Sequence, residues 1–356
     1  MARDPVRSAA KIEPVSASGA EGFVPPAFAP AGWLANPHIQ TVWPFLFRPR
    51  PPFEIANETW TLPDGENLAV HLTESDPERP GVLVIHGLEG SVEASYMVGM
   101  LDRIRRAGWN GAAFDLRSCG RSARKLPPSK TAYHAGKTDD LAFVAQCLRE
   151  RWEGPLAVIG FSIGGNMVLK YLGESGTGAL VDAAVAVSVP FDLAVCAAHV
   201  DGRGFWNGLY RKRFLQSLRR KARALAKADP TRLDGAAVAA ARTFAAFDDV
   251  VTARLFGFEG AEDYWRRCSA AGFITDIRRP CLIVSSVDDP IVPAEAIPLE
   301  RIEDNPALTL WLTEKGGHVG FFAGSMRRPI YVAEEGAVAF LKQQFARLGT
   351  PIAGNG

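Results

Sequence analysis

Ser162 lies in the run VIGFSIGGN (158–166), with Gly160 two residues before it and Gly164 two after. Apolar residues precede it in LAVIGF and a helical pattern follows in IGGNMVLKYLGESG. A strand, a G-x-S-x-G turn and a helix in that order lift a serine Oγ clear of a sheet edge, because only residues without a β-carbon fit around so sharp a turn. The helix behind it offers unpaired N–H groups and the positive end of its dipole. A serine hydroxyl is a poor nucleophile near neutral pH, so it needs a base, and the base needs an acid to hold its tautomer.

Of the six histidines, His38 stands in a Pro-rich N-terminal stretch, His71 on an edge strand and His199 in the inserted helical region, all suited to packing or surface roles. His86 ends the first buried strand, and His134 sits in YHAGKTDDL, where Thr138, Asp139 and Asp140 mark a helix start with acids at its positive end. Only His318, in TEKGGHVGFF, follows the final strand and lies downstream of an acid candidate, with Gly316, Gly317 and Gly320 free to bend its loop toward the serine. Two aspartates are adjacent in CLIVSSVDDPIVP. Asp289 is favoured over Asp288, since at D-P-I-V-P the strand has ended and proline fixes the exit. The expected oxyanion donors are the backbone N–H groups of Leu88, in HGLEGS after the first buried strand, and of Ile163, next to the nucleophile.

These residues need a scaffold. Apolar runs at 81–87, 110–116, 155–161, 182–189, 280–286 and 308–313 are near-continuous, as parallel strands covered on both faces require, and helical patterns separate them. Before them, FEIANETWTL and ENLAVHLT alternate around PDG like an antiparallel pair. The expected organisation is an N-terminal extension, 1–52, irregular in its Pro-rich part; an α/β core, 53–189 and 280–350; and a helical cap insertion, 190–279, overhanging the site.

The motifs HGLEGS, FDLRSCGRS, YHAGKTDDL, GFSIGGNMVLKYLGESG, FDDVVTARLFGF, SSVDDPIVP and GGHVGFF, with NPHIQTVWP near the start, resemble the YheT-like branch of the α/β-hydrolase superfamily from about Trp33 onward. The resemblance implies a mostly parallel sheet flanked by helices with a helical cap, a Ser162, Asp289, His318 triad and carboxylic-ester substrates, medium-chain or lipid-like. Ser118 departs from the pattern, which usually has glycine there.

The other classes recede on composition. A net charge of +1 lacks the concentrated basic field that nucleic acid needs. Five cysteines without a C-x-x-C pair read as buried hydrophobes in a reducing compartment, and no histidines or cysteines stand at metal-ligand spacing. No phosphate loop is present, so no cofactor is expected. With no signal-peptide core and no long apolar span, a cytoplasmic location is expected. The basic run YRKRFLQSLRRKARALAK (210–227) reads as a cap helix with Phe214, Leu218, Ala222 and Leu225 turned inward and a solvated basic side; membrane contact through it is not expected. An acyltransferase using the same triad, or a catalytically silent binding protein, are the alternative readings, and the second would ordinarily lack a triad member.

Overall fold

The computed structural model describes residues 18–19, 22–30, 32–73, 75–126, 129–325 and 328–349. Its main sheet has nine strands: β1 (Ser18–Gly19), β2 (Ala56–Thr61), β3 (Asn67–Leu72), β4 (Gly81–Ile85), β5 (Asn110–Phe114), β6 (Leu156–Phe161), β7 (Ala183–Val187), β8 (Cys281–Ser286) and β9 (Leu308–Thr313). They lie in the order β1-β9-β8-β7-β6-β4-β5-β3-β2. The six strands from β4 to β9 pair in parallel, while β1, β3 and β2 join antiparallel at the two ends.

Why the central strands read as unbroken apolar runs is visible in their packing. Along β6, Leu156 and Val158 point to one hydrophobic cluster and Ala157 and Ile159 to another; along β4, Leu83 and Ile85 oppose Val82 and Val84 in the same way. Each face is covered, so both sets of alternating side chains must be apolar. His71 sits on β3, which is interior to the sheet because β2 takes the edge; it is buried and bonds Asp115 and Asn57, a satisfied core histidine.

Helix α1 (Pro37–Phe47) corrects the expectation of an irregular N-terminal segment. Asn36 caps it by accepting from His38 and Ile39 N–H, and Pro37 occupies the first turn, where a missing N–H costs nothing. Helices α2 (Ser95–Arg106), α3 (Thr138–Arg151) and α4 (Ile163–Ser175) follow their strands in βα succession.

Between β7 and β8 the described residues form only helices and loops, including α5 (Leu193–Asp201), α6 (Phe205–Ala228), a π-turn at Asp248–Thr252 and α7 (Ala261–Cys268). Leu215, Ala222, Val238, Phe247 and Val251 belong to a separate small core, while Tyr264, Trp265, Cys268 and Ile274 pack into the cluster on the sheet. The part with its own core is therefore shorter than the whole stretch between the strands. Helix α8 (Val332–Arg347) packs against the other sheet face. Four of the five cysteines are buried and free; Cys147 is half-exposed on α3.

Candidate active site

β6 ends at Phe161 and α4 begins at Ile163, leaving Ser162 alone at the turn with φ +54° and ψ −119°. That left-handed conformation costs of order 1–3 kcal/mol for a residue with a side chain. The flanking glycines make it possible. A Cβ on Gly160 would run into the Gly164 carbonyl, and one on Gly164 would come within 2.7 Å of the Ile85 and His86 carbonyl oxygens of the neighbouring strand end. Asn166, one turn into α4, anchors the elbow: its N–H donates to Ser162 O, and its buried amide bonds Ala135 O, Cys268 O and Ala270 N–H.

His318 reaches the serine from the loop after β9. Its Nδ1–H donates to Asp289 Oδ2 at 2.8 Å, which leaves Nε2 to accept from Ser162 Oγ at 2.9 Å. Asp289 stands in the turn after β8, where its Oδ1 accepts from Ile291 and Val292 N–H at 2.8 and 2.9 Å. Asp288 turns away. Its Oδ1 accepts from Gly317 N–H, its Oδ2 is buried without a partner, and burial raises its pKa. The structure thus brings Ser162, His318 and Asp289 into one hydrogen-bonded relay and leaves Asp288 as a brace of the histidine loop.

The glycines of that loop serve the bend expected of it, Gly317 at φ +58°, and a second constraint as well. A Cβ on Gly317 would sit 2.5 Å from Pro37 O, and one on Gly320 would overlap the Gln40 carbonyl, so helix α1 packs directly on the loop. Gln40 pairs with both Phe322 N–H and Phe322 O, and Thr41 Oγ1 accepts from His318 N–H at 2.9 Å. Ser188, at φ +53° just past β7, accepts from Val319 N–H. None of these supports stood out from side-chain chemistry; the Asn36-Pro37 helix start was the one available signal for α1.

The loop after β4 is held by a buried imidazole and two tyrosines. His86 Nε2 accepts from Leu116 N–H, so Nδ1–H donates to Gly87 O at 2.7 Å; burial lowers its pKa and keeps it neutral. Gly87 N–H donates to Tyr96 OH and Glu89 N–H to Tyr133 OH. Between them Leu88 N–H, like Ile163 N–H, has no acceptor among the described residues. Glu89, at φ +56°, is gripped further: its Oε1 accepts from Tyr133 OH and, at 2.7 Å, from Lys221 Nζ of α6, while Oε2 is buried without a partner. Lys221, expected on the solvated side of that helix, instead crosses to the core.

Ser118 has φ +61°, a region where glycine is at ease, and its Oγ bonds Thr131 O. Arg117 beside it forms ion pairs with Asp140 and Asp64.

Ser162, Ile163, Leu88 and His318 open into a cavity whose other walls come mainly from the cap: Leu193, Val200, Phe214, Leu218, Phe247 and Val251. Its polar exceptions include Glu89, Lys221, His134 and Asp248. His134 packs against Phe256, Phe258 and Tyr264, and burial lowers its pKa to about 3. Asp248, on the π-turn, accepts from Thr252 Oγ1 and Trp265 Nε1, and burial raises its pKa to about 6. Among the described residues no group of three or more His, Cys, Asp or Glu side chains could hold a metal ion.

A family profile described as the alpha/beta hydrolase fold matches residues 80–325. The chain belongs to the α/β-hydrolase family. Within it, the sequence is 35% identical to YheT of Escherichia coli (strain K12) over 308 residues, 85% of this chain and 89% of that one, which puts it in the YheT-like branch. This hydrolase is also 30% identical to a monoacylglycerol lipase of Saccharomyces cerevisiae (75% of this chain, 60% of that one) and 28% identical to phospholipase ABHD3 of Homo sapiens (83% and 74%). Among solved structures, the esterase Pf2001 of Pyrococcus furiosus superposes with a TM-score of 0.50 at 19% identity, covering 91% of this chain and 96% of that one, a likeness of fold.

Proposed function

We propose that this α/β-hydrolase is a serine esterase that cleaves medium-chain or lipid-like carboxylic esters through an acyl-serine intermediate. The observation that carries the reading is the relay Ser162 Oγ to His318 Nε2 to Asp289, standing at the floor of a largely apolar cavity. The names of its relatives, a monoacylglycerol lipase and a phospholipase, support ester hydrolysis as the reaction class.

In the first step Ser162 Oγ attacks the ester carbonyl carbon while His318 Nε2 takes its proton. The carbonyl oxygen gains negative charge and is held by Leu88 and Ile163 N–H, two donors otherwise without acceptors among the described residues. Asp289 stabilises the imidazolium and keeps Nδ1 protonated throughout. Collapse of the tetrahedral adduct breaks the bond to the alcohol oxygen, which leaves with the proton from Nε2. Water then gives its proton to the same nitrogen, attacks the acyl-serine, and the acid departs as Ser162 regains its proton. The cap walls provide the apolar surface for the acyl chain.

A fluorophosphonate probe, which traps an activated serine, should label the wild-type chain and leave Ser162→Ala unlabelled. On p-nitrophenyl esters of graded length, kcat/KM should rise about fourfold per methylene until the cavity is full, from about 0.8 kcal/mol each. Labelling that survives the substitution, or a flat profile from acetate to decanoate, argues against the reading.

A further inference from the structure

Helix α6 turns two different faces to its surroundings. Phe214, Leu218, Ala222 and Leu225 line the cavity. The opposite stripe, Phe205, Leu209, Lys212, Gln216, Arg220, Arg223 and Lys227, recurs at spacings of 3 and 4 with Arg213 at its side, and every one of these residues is exposed. The stripe changes character along its length. It begins apolar, with Phe205 78% and Leu209 46% exposed beside Trp206, and turns basic from Lys212 onward. Residues 205–228 hold eight Lys and Arg and no Asp or Glu, in a chain whose net charge is +1.

The apolar end of this stripe is continued by a second element. His38 of α1 stacks on Trp206 at 4.2 Å between ring centroids and bonds Tyr210 OH at 3.0 Å, so α1 and α6 abut. Phe45, Leu46 and Phe47 of α1 are each more than half exposed, and Ile39 is 37% exposed. Thr41 of the same helix holds His318 N–H, so this surface adjoins the triad.

We infer that this face docks the protein on an anionic lipid surface, with the aromatic end of α6 and α1 entering the acyl boundary and the basic length of α6 lying on the headgroups. A bilayer meets both demands at once, since exposed aromatic and aliphatic side chains gain by leaving water while the cations lie against lipid phosphates. A second copy of the chain meets them poorly, because the basic stripe brings no carboxylate of its own to face another basic stripe. Among the described residues no helix is long and apolar enough to span a membrane, so the contact is peripheral. The inference stands on the surface alone; with the esterase reading it also supplies a route for lipid esters to the cavity.

Co-sedimentation of the full chain with vesicles tests it. Vesicles of phosphatidylcholine containing about one quarter phosphatidylglycerol should bind the protein at about 0.1 M salt and release it at about 0.5 M, and phosphatidylcholine alone should bind far less. Arg213→Gln should weaken partitioning about fivefold, and the combined Lys212→Gln, Arg213→Gln, Arg220→Gln, Arg223→Gln variant should abolish it. Phe205→Ser with Leu209→Ser should weaken binding at every salt concentration. Hydrolysis of a water-soluble short ester should be unchanged in all of these, since none of the altered residues lines the cavity, which separates loss of docking from loss of fold. No binding to anionic vesicles, binding indifferent to the substitutions, or a dimer in solution that these substitutions dissociate would each overturn the inference. Vesicle binding is read without turnover, so an inactive but docking protein would refute the esterase reading alone.

Discussion

Replacing Asp289 by asparagine tests the relay at the member whose neighbour offers a built-in control. Asp289 Oδ1 accepts two backbone N–H bonds, from Ile291 and Val292, and Oδ2 accepts from His318 Nδ1–H. An asparagine amide must keep its oxygen toward the two N–H groups, because turning its NH2 there would set three donors against one another. The NH2 therefore faces His318, Nδ1 becomes an acceptor, and the ring proton moves to Nε2, opposite Ser162 Oγ. That tautomer cannot take the serine's proton. In serine proteases the same change lowers kcat about 10⁴-fold, or about 5.5 kcal/mol in barrier height, and a similar loss is expected here. Asp288→Asn keeps an oxygen for Gly317 N–H and leaves unpartnered only a position that is unpartnered already, so its kcat should stay within about tenfold of wild type. Steady-state kcat on a p-nitrophenyl ester for both variants, with thermal melts to establish that each is folded, decides the matter. A folded Asp289→Asn with near-normal kcat, or a folded Asp288→Asn that is the crippled one, refutes the assignment.

Two further outcomes are expected. Lys221→Met leaves the Glu89 carboxylate buried without its cation and should cost about 3 kcal/mol in chemical denaturation; kcat should fall as well, because Glu89 adjoins the Leu88 N–H, and adding Glu89→Gln should recover most of the stability, a result that a simple packing defect would not give. Asp248 is held near pKa 6 by burial, against an ordinary value of 3.8, so the folded chain retains a proton that the unfolded chain loses as pH rises through that window. The group therefore costs stability progressively from about pH 4 to 6 and in full above it, and Asp248→Asn should gain on wild type by roughly 2–3 kcal/mol between pH 4 and 7; a pH-independent difference in unfolding free energy would refute this.

The parts of the protein whose physics is local were legible in the order of its residues. A serine between Gly160 and Gly164, after an apolar run and before a helix, admits one sharp turn, because any side chain at either glycine meets backbone. The parallel sheet was legible for a related reason: strands buried on both faces carry long apolar runs, and every residue of β4 to β9 is buried. The β2–β3 hairpin could be read from its alternation and the PDG turn, although only β2 is half-exposed and β3 is buried almost throughout, because β2 covers its edge. Contacts between segments far apart in the chain were not legible there, because they exist only once the elements have docked. That Thr41 holds His318, that α1 leaves no room for a side chain at Gly317 or Gly320, and that Lys221 turns from a basic helix into the core to reach Glu89 depend on how elements some 130 to 280 residues apart are docked. Periodicity assigns a face to a residue but not the partner that face meets. For Lys221 the expectation of solvent came from its charge, whereas its spacing from Phe214, Leu218 and Leu225 sets it on the cavity-lining face, where it meets a buried carboxylate 132 positions away in sequence.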